Sequence, residues 1–249
     1  MNEKEFFKPF RKYELDYKRL KRWYLASLYS YDSTAKIIEE NMASNGKRLQ
    51  QIYYKESHLI EHSLITLEKK YRKNYVSFLE EMTLTRIISI LENFLLDAVE
   101  TAFYHDKTFF FESKQTIEFQ VSEFLSKNMW ELEKKFIDDK IGNLHRQGFN
   151  EVRKYYKKTF NIDFQNFNTS IDSVNYNLKD VIKIHDMRHL IIHRLGRTDE
   201  KFRRDYNYNG KTLNLSEEDV IVYLQIIDDF VWFLKDKFQA KMFPSNTPL

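Results

Sequence analysis

Arg188, His189 and His193 fall within about two helical turns of one another. His185 comes just before them, so four of the chain's chemistry-bearing side chains crowd one segment although it has only 7 His in 249 residues. Imidazole titrates near neutrality and can take or give a proton. Guanidinium stays charged and presents a planar donor fork to phosphate. Together these groups suit phosphodiester chemistry on RNA. A base takes the 2′-hydroxyl proton, a cation steadies the phosphate oxygens, and an acid protonates the leaving 5′-oxygen. On a helix, His185, His189 and His193 form a stripe at four-residue spacing. Arg188 and His193 are five apart and diverge by about 140° on an ideal helix. They converge only through the length of the arginine, a distorted turn, or a second copy of the helix facing the first. Met187, Leu190, Ile191 and Leu195 hold the rest of the helix to a core.

Spacing alone leaves other readings open. The histidines can be ordinary core-edge residues and Arg188 a surface ion-pair partner. HLIIH is also a histidine pair at the four-residue spacing that zinc uses, although no glutamate completes an HExxH arrangement and Asp186 is the only acid nearby. Glu92, inside an Ile–Leu stripe, either faces solvent or orders Arg188 or a histidine. Arg194 and Arg197, with Arg203 and Arg204, extend positive charge past the segment, or else balance Asp199 and Glu200. Lys154, Lys157 and Lys158, beside Arg153, Tyr155 and Tyr156, make a second basic surface for an RNA backbone, or a solvated helix face. Arg11, Lys12, Lys18, Arg19, Lys21 and Arg22 are interleaved with Tyr13, Tyr17, Trp23 and Tyr24, which suits phosphates and stacked bases or a helix whose aromatics pack inward.

These residues need elements to hold them, and the pattern is helical. Gly is 5 and Pro 3 in the whole chain. Helices are expected over 12–42, 49–71, 75–104, 118–140, 149–159 and 174–194, with Gly196 closing the last of these as its C-cap. Ala43 to Lys47 is a break, Gly142 and Gly148 bracket a short loop, and the Asn-rich stretch 160–173 is a connection. Leu84, Ile87, Ile88, Leu91, Leu95, Leu96 and Val99 mark a core helix. Asn209-Gly210 signals a short β-hairpin before the last helix. Ser216 and Asp219 start that helix with a capping-box spacing, and it runs to about Phe238. The prediction is an all-α bundle of five to seven helices. An N-terminal helical extension spans 1–74, the main helical domain 75–240, and a flexible tail 241–249.

Composition narrows the functions. Cysteine is absent, which excludes thiolate catalysis, disulfides and Cys-ligated zinc. Hydrophobic content of 42% with 31% charged residues is that of a folded globule. The opening residues MNEKEFFKPFRKYEL lack an apolar leader, and no run reaches membrane-spanning length. A cytoplasmic protein without membrane contact is expected. The net charge of +3 neither requires nor excludes nucleic acid.

Arg188-His189-Leu190-Ile191-Ile192-His193 resembles the Arg, polar residue, variable residues, His motif of the HEPN superfamily. Arg194, Gly196 and Asp199 resemble the run after that motif, and SEEDVIVYLQIIDDFVWFLKDKF its final helix. GNLHRQGFNEVRKYYKKTFNIDF resembles the middle region, and TLTRIISILENFLLDAVE the opening helix, with Glu92 at its polar position. The resemblance covers roughly 75–240. It implies a homodimer whose motif helices face one another across a shared cleft. It also implies metal-independent endoribonuclease activity without a cofactor, often in toxin–antitoxin or antiphage defence. Arg188 and His193 are then the catalytic pair and His189 the polar support, where the family more often has Asn. His185, outside the motif, and Glu92 are supporting candidates, and Arg194, Arg197, Lys154, Lys157 and Lys158, read from their charge, are candidate substrate contacts. The partners implied are RNA, a second copy, and a cognate antitoxin or defence protein. Two further readings are a catalytically silent module that binds RNA or a protein through the same cleft, and a target of AMP transfer at Tyr206 or Tyr208.

Overall fold

The computed structural model describes residues 2–45, 49–54, 57–110, 120–126 and 128–244. The all-α expectation holds: helices dominate, joined by two two-stranded antiparallel hairpins. The described residues contain ten α-helices rather than five to seven, because one expected helix is divided and α1 and α9 lie outside the expected ones. They are α1 (Glu3–Phe6), α2 (Lys8–Asn45), α3 (Leu64–Lys69), α4 (Tyr75–His105), α5 (Val121–Ser126), α6 (Met129–Gln147), α7 (Phe149–Phe160), α8 (Leu178–Arg194), α9 (Glu200–Tyr206) and α10 (Glu217–Met242). The first hairpin pairs β1 (Leu49–Tyr54) with β2 (Ser57–Ser63), the second β3 (Asn168–Ile171) with β4 (Val174–Asn177).

Several expectations are corrected. The segment 49–71 is a hairpin and a short helix instead of one long helix. Its Ile, Tyr and Leu content suits a pleated surface as well as a helix. The helix expected over 118–140 is two, because Asn128 and Glu131 form a capping box that starts α6; Phe119 lies outside the described residues. Gly142 sits inside α6, so Gly148 alone separates α6 from α7. Its φ of 79° and ψ of 177° belong to a region only glycine enters readily. The connection 160–173 carries β3, and α8 begins at Leu178 instead of Val174. Asp172 and Ser173, at φ 49° and 66°, form the two-residue loop of this hairpin. Asn177 then caps α8, accepting from the Lys179 N–H at 2.8 Å and donating its own N–H to Asp180 at 2.9 Å.

The hairpin expected around Asn209-Gly210 is replaced by α9 and one isolated bridge, Arg197 to Thr212. Asp199 accepts from the Phe202 N–H to start α9, and Asn207, left-handed at φ 49°, ends it. Ser216 and Asp219 do form the expected capping box. Just past the end of α10, Phe243 lies 5.4 Å from the Phe6 ring and 5.0 Å from His105. Residues 245–249 lie outside the described residues.

The chain divides into two compact units. One comprises residues 1–17, 88–185 and 225–249, the other 18–87 and 186–224. The first has an aromatic core. Phe230 lies 5.1 Å from Phe164 and 5.2 Å from Phe167, and Phe238 lies 5.4 Å from Phe160. Tyr156 is fully buried, and its hydroxyl donates to the Leu95 carbonyl at 2.6 Å. That bond satisfies an oxygen that would otherwise be costly to bury.

The second unit buries Leu84, Ile87, Met187, Leu190, Phe202 and Leu224. Ile38 and Leu67 form a smaller cluster with Met42 and Tyr71. Arg72 gathers Asp32, Glu39 and Glu68 around one guanidinium. Glu80 is only 4% exposed, and burial, then the charges of Asp219, Glu217, Glu218 and Glu81, raise its carboxyl from the ordinary 4.5 to about 7. Between those two values the folded chain keeps a proton that the unfolded chain releases. Stability therefore falls as pH rises from about 4.5 through about 7. Glu80→Gln should remove that fall, matching the parent at pH near 5 and exceeding it near 8. Denaturant midpoints across the range read this directly, and parallel profiles for the two proteins would overturn the assignment.

Candidate functional site on helix α8

Helix α8 ends in strain. Leu195, not Gly196, takes the first left-handed position, at φ 51°, and Gly196 follows at φ 73°. A β-carbon in that region costs about 1–2 kcal/mol. Leu195 bears this while 83% exposed. The Gly196 N–H closes onto the Leu190 carbonyl at 3.1 Å, and its own carbonyl accepts from the Leu213 N–H at 2.8 Å. Thr198 is laced to the same return segment, its N–H donating to Lys211 and its hydroxyl to the Gly210 carbonyl. Backbone bonds thus fix the direction in which the chain leaves the motif.

Within the second unit, the motif residues differ in environment. His189 and His193 are exposed, with ring centroids 4.6 Å apart. Arg188 is half-buried, and its Nε is shielded from solvent. Arginine and imidazoles therefore sit on different aspects of one helix, as the five-residue spacing of Arg188 and His193 predicts. Ile192, 43% exposed, and Leu195 add apolar surface on the same turns. A small cavity of about 150 Å³ opens beside His189, lined also by Asp186, Asp199, Lys201 and Asp205. Tyr206 donates its hydroxyl to Asp186 at 2.6 Å, tying α9 to α8. Neither latch nor cavity is announced by the sequence, where Asn209-Gly210 points to a hairpin instead.

Arg194 lies 3.5 Å from Asp199, the acid that caps α9. Burial is slight there, and the Phe202 N–H followed by the arginine's charge lowers the Asp199 carboxyl below its usual value. Arg197 is exposed and joins the Thr212 bridge through its backbone. Arg203 donates to the Thr198 carbonyl at 2.9 Å, so it braces the return loop. The Tyr208 hydroxyl donates to the Thr212 carbonyl and accepts from the Asn214 N–H, each at 3.0 Å. Both tyrosines named as modification targets thus have engaged hydroxyls.

Glu92, His185 and the lysines of α7 belong to the first unit. Glu92 does not face solvent alone: its Oε1 lies 2.8 Å from His185 Nε2, with both side chains about one-fifth exposed. Phe149 packs on the His185 ring at 5.4 Å. On α7, Lys154 pairs with Glu151 at 2.5 Å and Lys157 with Asp163 at 2.6 Å, while Lys158 is exposed. Tyr155 and Tyr156 between them point inward, Tyr156 completely. In the basic N-terminal segment, Tyr13, Tyr17 and Tyr24 are buried, but Trp23 is 49% exposed, against the inward packing expected.

No protein-family profile, curated protein or solved structure matches the chain. Among the described residues no three His, Asp or Glu side chains converge as a metal-binding set, and no helix is long and apolar enough to cross a membrane. What the site can do therefore rests on its own residues: two exposed imidazoles, a half-buried arginine on the same helix, and a strained apolar rim.

Proposed function

We propose that this chain is a metal-independent endoribonuclease of the HEPN kind, acting as a homodimer in the cytoplasm, in a toxin–antitoxin or antiphage setting. The observation that carries the reading is the pair of exposed imidazoles 4.6 Å apart on the helix that bears Arg188. Exposed imidazoles can exchange protons with a substrate. Exposed Ile192 and Leu195 beside them give a second copy an apolar surface to cover. Two such helices face to face supply two arginines and four histidines to one groove. His193 of one copy then takes the 2′-hydroxyl proton, Arg188 holds the phosphate oxygens, and an imidazole protonates the leaving 5′-oxygen. His189 supports His193 by ring contact. Arg194, Arg197, Lys154, Lys157 and Lys158 are the proposed contacts to the RNA backbone, and a cognate antitoxin or defence protein is the proposed regulator.

The test is product chemistry. Incubation of the purified chain with RNA in excess EDTA should leave a 2′,3′-cyclic phosphate on the 5′ fragment and a 5′-hydroxyl on the other. A 3′-hydroxyl with a 5′-phosphate, or cleavage lost to the chelator, would sink the proposal. A second reading is favoured by the burial of the Arg188 Nε. A guanidinium held in the protein can serve structure, leaving a silent module that binds RNA or a partner. Saturable RNA binding without any cleavage identifies that case.

A further inference from the structure

A cavity of about 660 Å³ lies within the first unit, lined by α1, the start of α2 and α10. That volume falls in the range of about 300–1,000 Å³ typical of small-molecule sites. Its floor is aromatic and well buried: Phe7, Phe10 and Tyr13 are each under 8% exposed. Burial foremost, and then the Asp228 charge, hold the Tyr13 hydroxyl protonated far above its ordinary range. Trp232, 43% exposed, lines one side. Lys235 stands over that ring with Nζ 4.1 Å from its centroid.

The charges are unevenly satisfied. Lys4, Arg11 and Lys235 line the cavity, and among the described residues none of the three is in an ion pair. Of the two lining carboxylates, Glu3 accepts from the Gln239 amide at 2.7 Å. Flat apolar walls with unneutralised cations at the rim match one ligand chemistry. The ring stacks on indole and phenyl faces, and the anionic group meets a guanidinium or ammonium. A cation ligand meets the wrong charge here, and an aliphatic one leaves the aromatic faces poorly used.

We infer that the cavity between α1, the start of α2 and α10 binds a small planar aromatic anion. A nucleotide phosphate and an aromatic carboxylate share that chemistry. The inference concerns the first unit only and is read by binding, so it stands or falls apart from RNA cleavage.

The chain has 3 Trp, so ¹⁵N-labelled full-length protein gives three indole signals, and Trp232→Phe identifies one of them. Adenosine monophosphate and 1-naphthoate are titrated separately, with calorimetry in parallel. At least one should shift the Trp232 signal saturably, and the one that does identifies the source of the anion. Arg11→Ala with Lys235→Ala should weaken that binding about tenfold or more. Both side chains reach solvent, so the double variant keeps its fold, which circular dichroism checks. The uncharged parent of the bound probe, adenosine or naphthalene, should bind about tenfold more weakly. The inference is overturned if neither probe moves the Trp232 signal at millimolar concentration. It is equally overturned if inorganic phosphate displaces the probe as well as the probe binds, or if the double variant binds like the parent.

Discussion

RNA cleavage is expected to drop by about 10²–10⁴-fold in His193→Ala, with the far-ultraviolet helical signal unchanged. The size follows from removing a positioned proton-transfer group. The unchanged fold follows from exposure, since substitutions at solvated positions usually shift stability by about 0.5 kcal/mol or less. Arg188→Ala should be as inactive but less innocent, because that side chain is half-buried. Arg188→Lys separates the two effects. It keeps the charge and most of the packing yet loses the planar fork, so activity should fall well before stability does. Mixing the two inactive proteins, Arg188→Ala and His193→Ala, tests where the site is built. An isologous dimer with Arg188 and His193 from opposite copies regains roughly a quarter of parental activity, because one site in each mixed dimer is intact. Full activity in folded His193→Ala would remove the ribonuclease reading altogether.

The largest loss of stability is expected from Phe230→Ala, at about 3–5 kcal/mol. Phe230 is completely buried and meets Phe149, Phe164, Phe167 and Phe233 with centroids 5.1–6.4 Å away. Removing it forfeits apolar burial and edge-to-face contacts together and leaves a void that four rings cannot close without moving. The melting temperature should fall by roughly 6–20 °C. Phe230→Leu, nearer in volume, should cost less than about half as much. A Phe230→Ala protein with the parent's denaturant midpoint would mean that the aromatic cluster does not govern the unfolding of this unit.

Long helices were legible wherever one apolar stripe persisted. Ile87, Ile88, Leu91, Leu95 and Val99 placed α4, and Val220, Leu224, Ile227, Phe230 and Leu234 placed α10, because burial of that stripe fixes both period and extent. The Ser216–Asp219 start was legible because its chemistry is local. Breaks decided by competing local bonds were not. Asn128 divides one expected helix and Asn177 delays another, in each case by offering the backbone a cap that periodicity does not weigh. Asn209-Gly210 suggested a hairpin, yet Asp199 and Asn207 close a helical turn just before it. At the site, the helix and its histidine stripe were readable, and so was the divergence of Arg188 from His193. The Tyr206–Asp186 latch was not, because it joins residues twenty apart across a loop whose course no pattern announces.

Two exposed apolar side chains, Ile192 and Leu195, hold a pair of copies together only weakly, so under the proposed reading association follows the amount of protein present. Dilute chain is then mostly solitary and idle, and each doubling of concentration raises the amount of paired chain nearly fourfold until pairing begins to saturate. Dose, before any inhibitor acts, sets a threshold for RNA cutting. A cell carrying such a chain would tolerate a trace of it and suffer from a surplus.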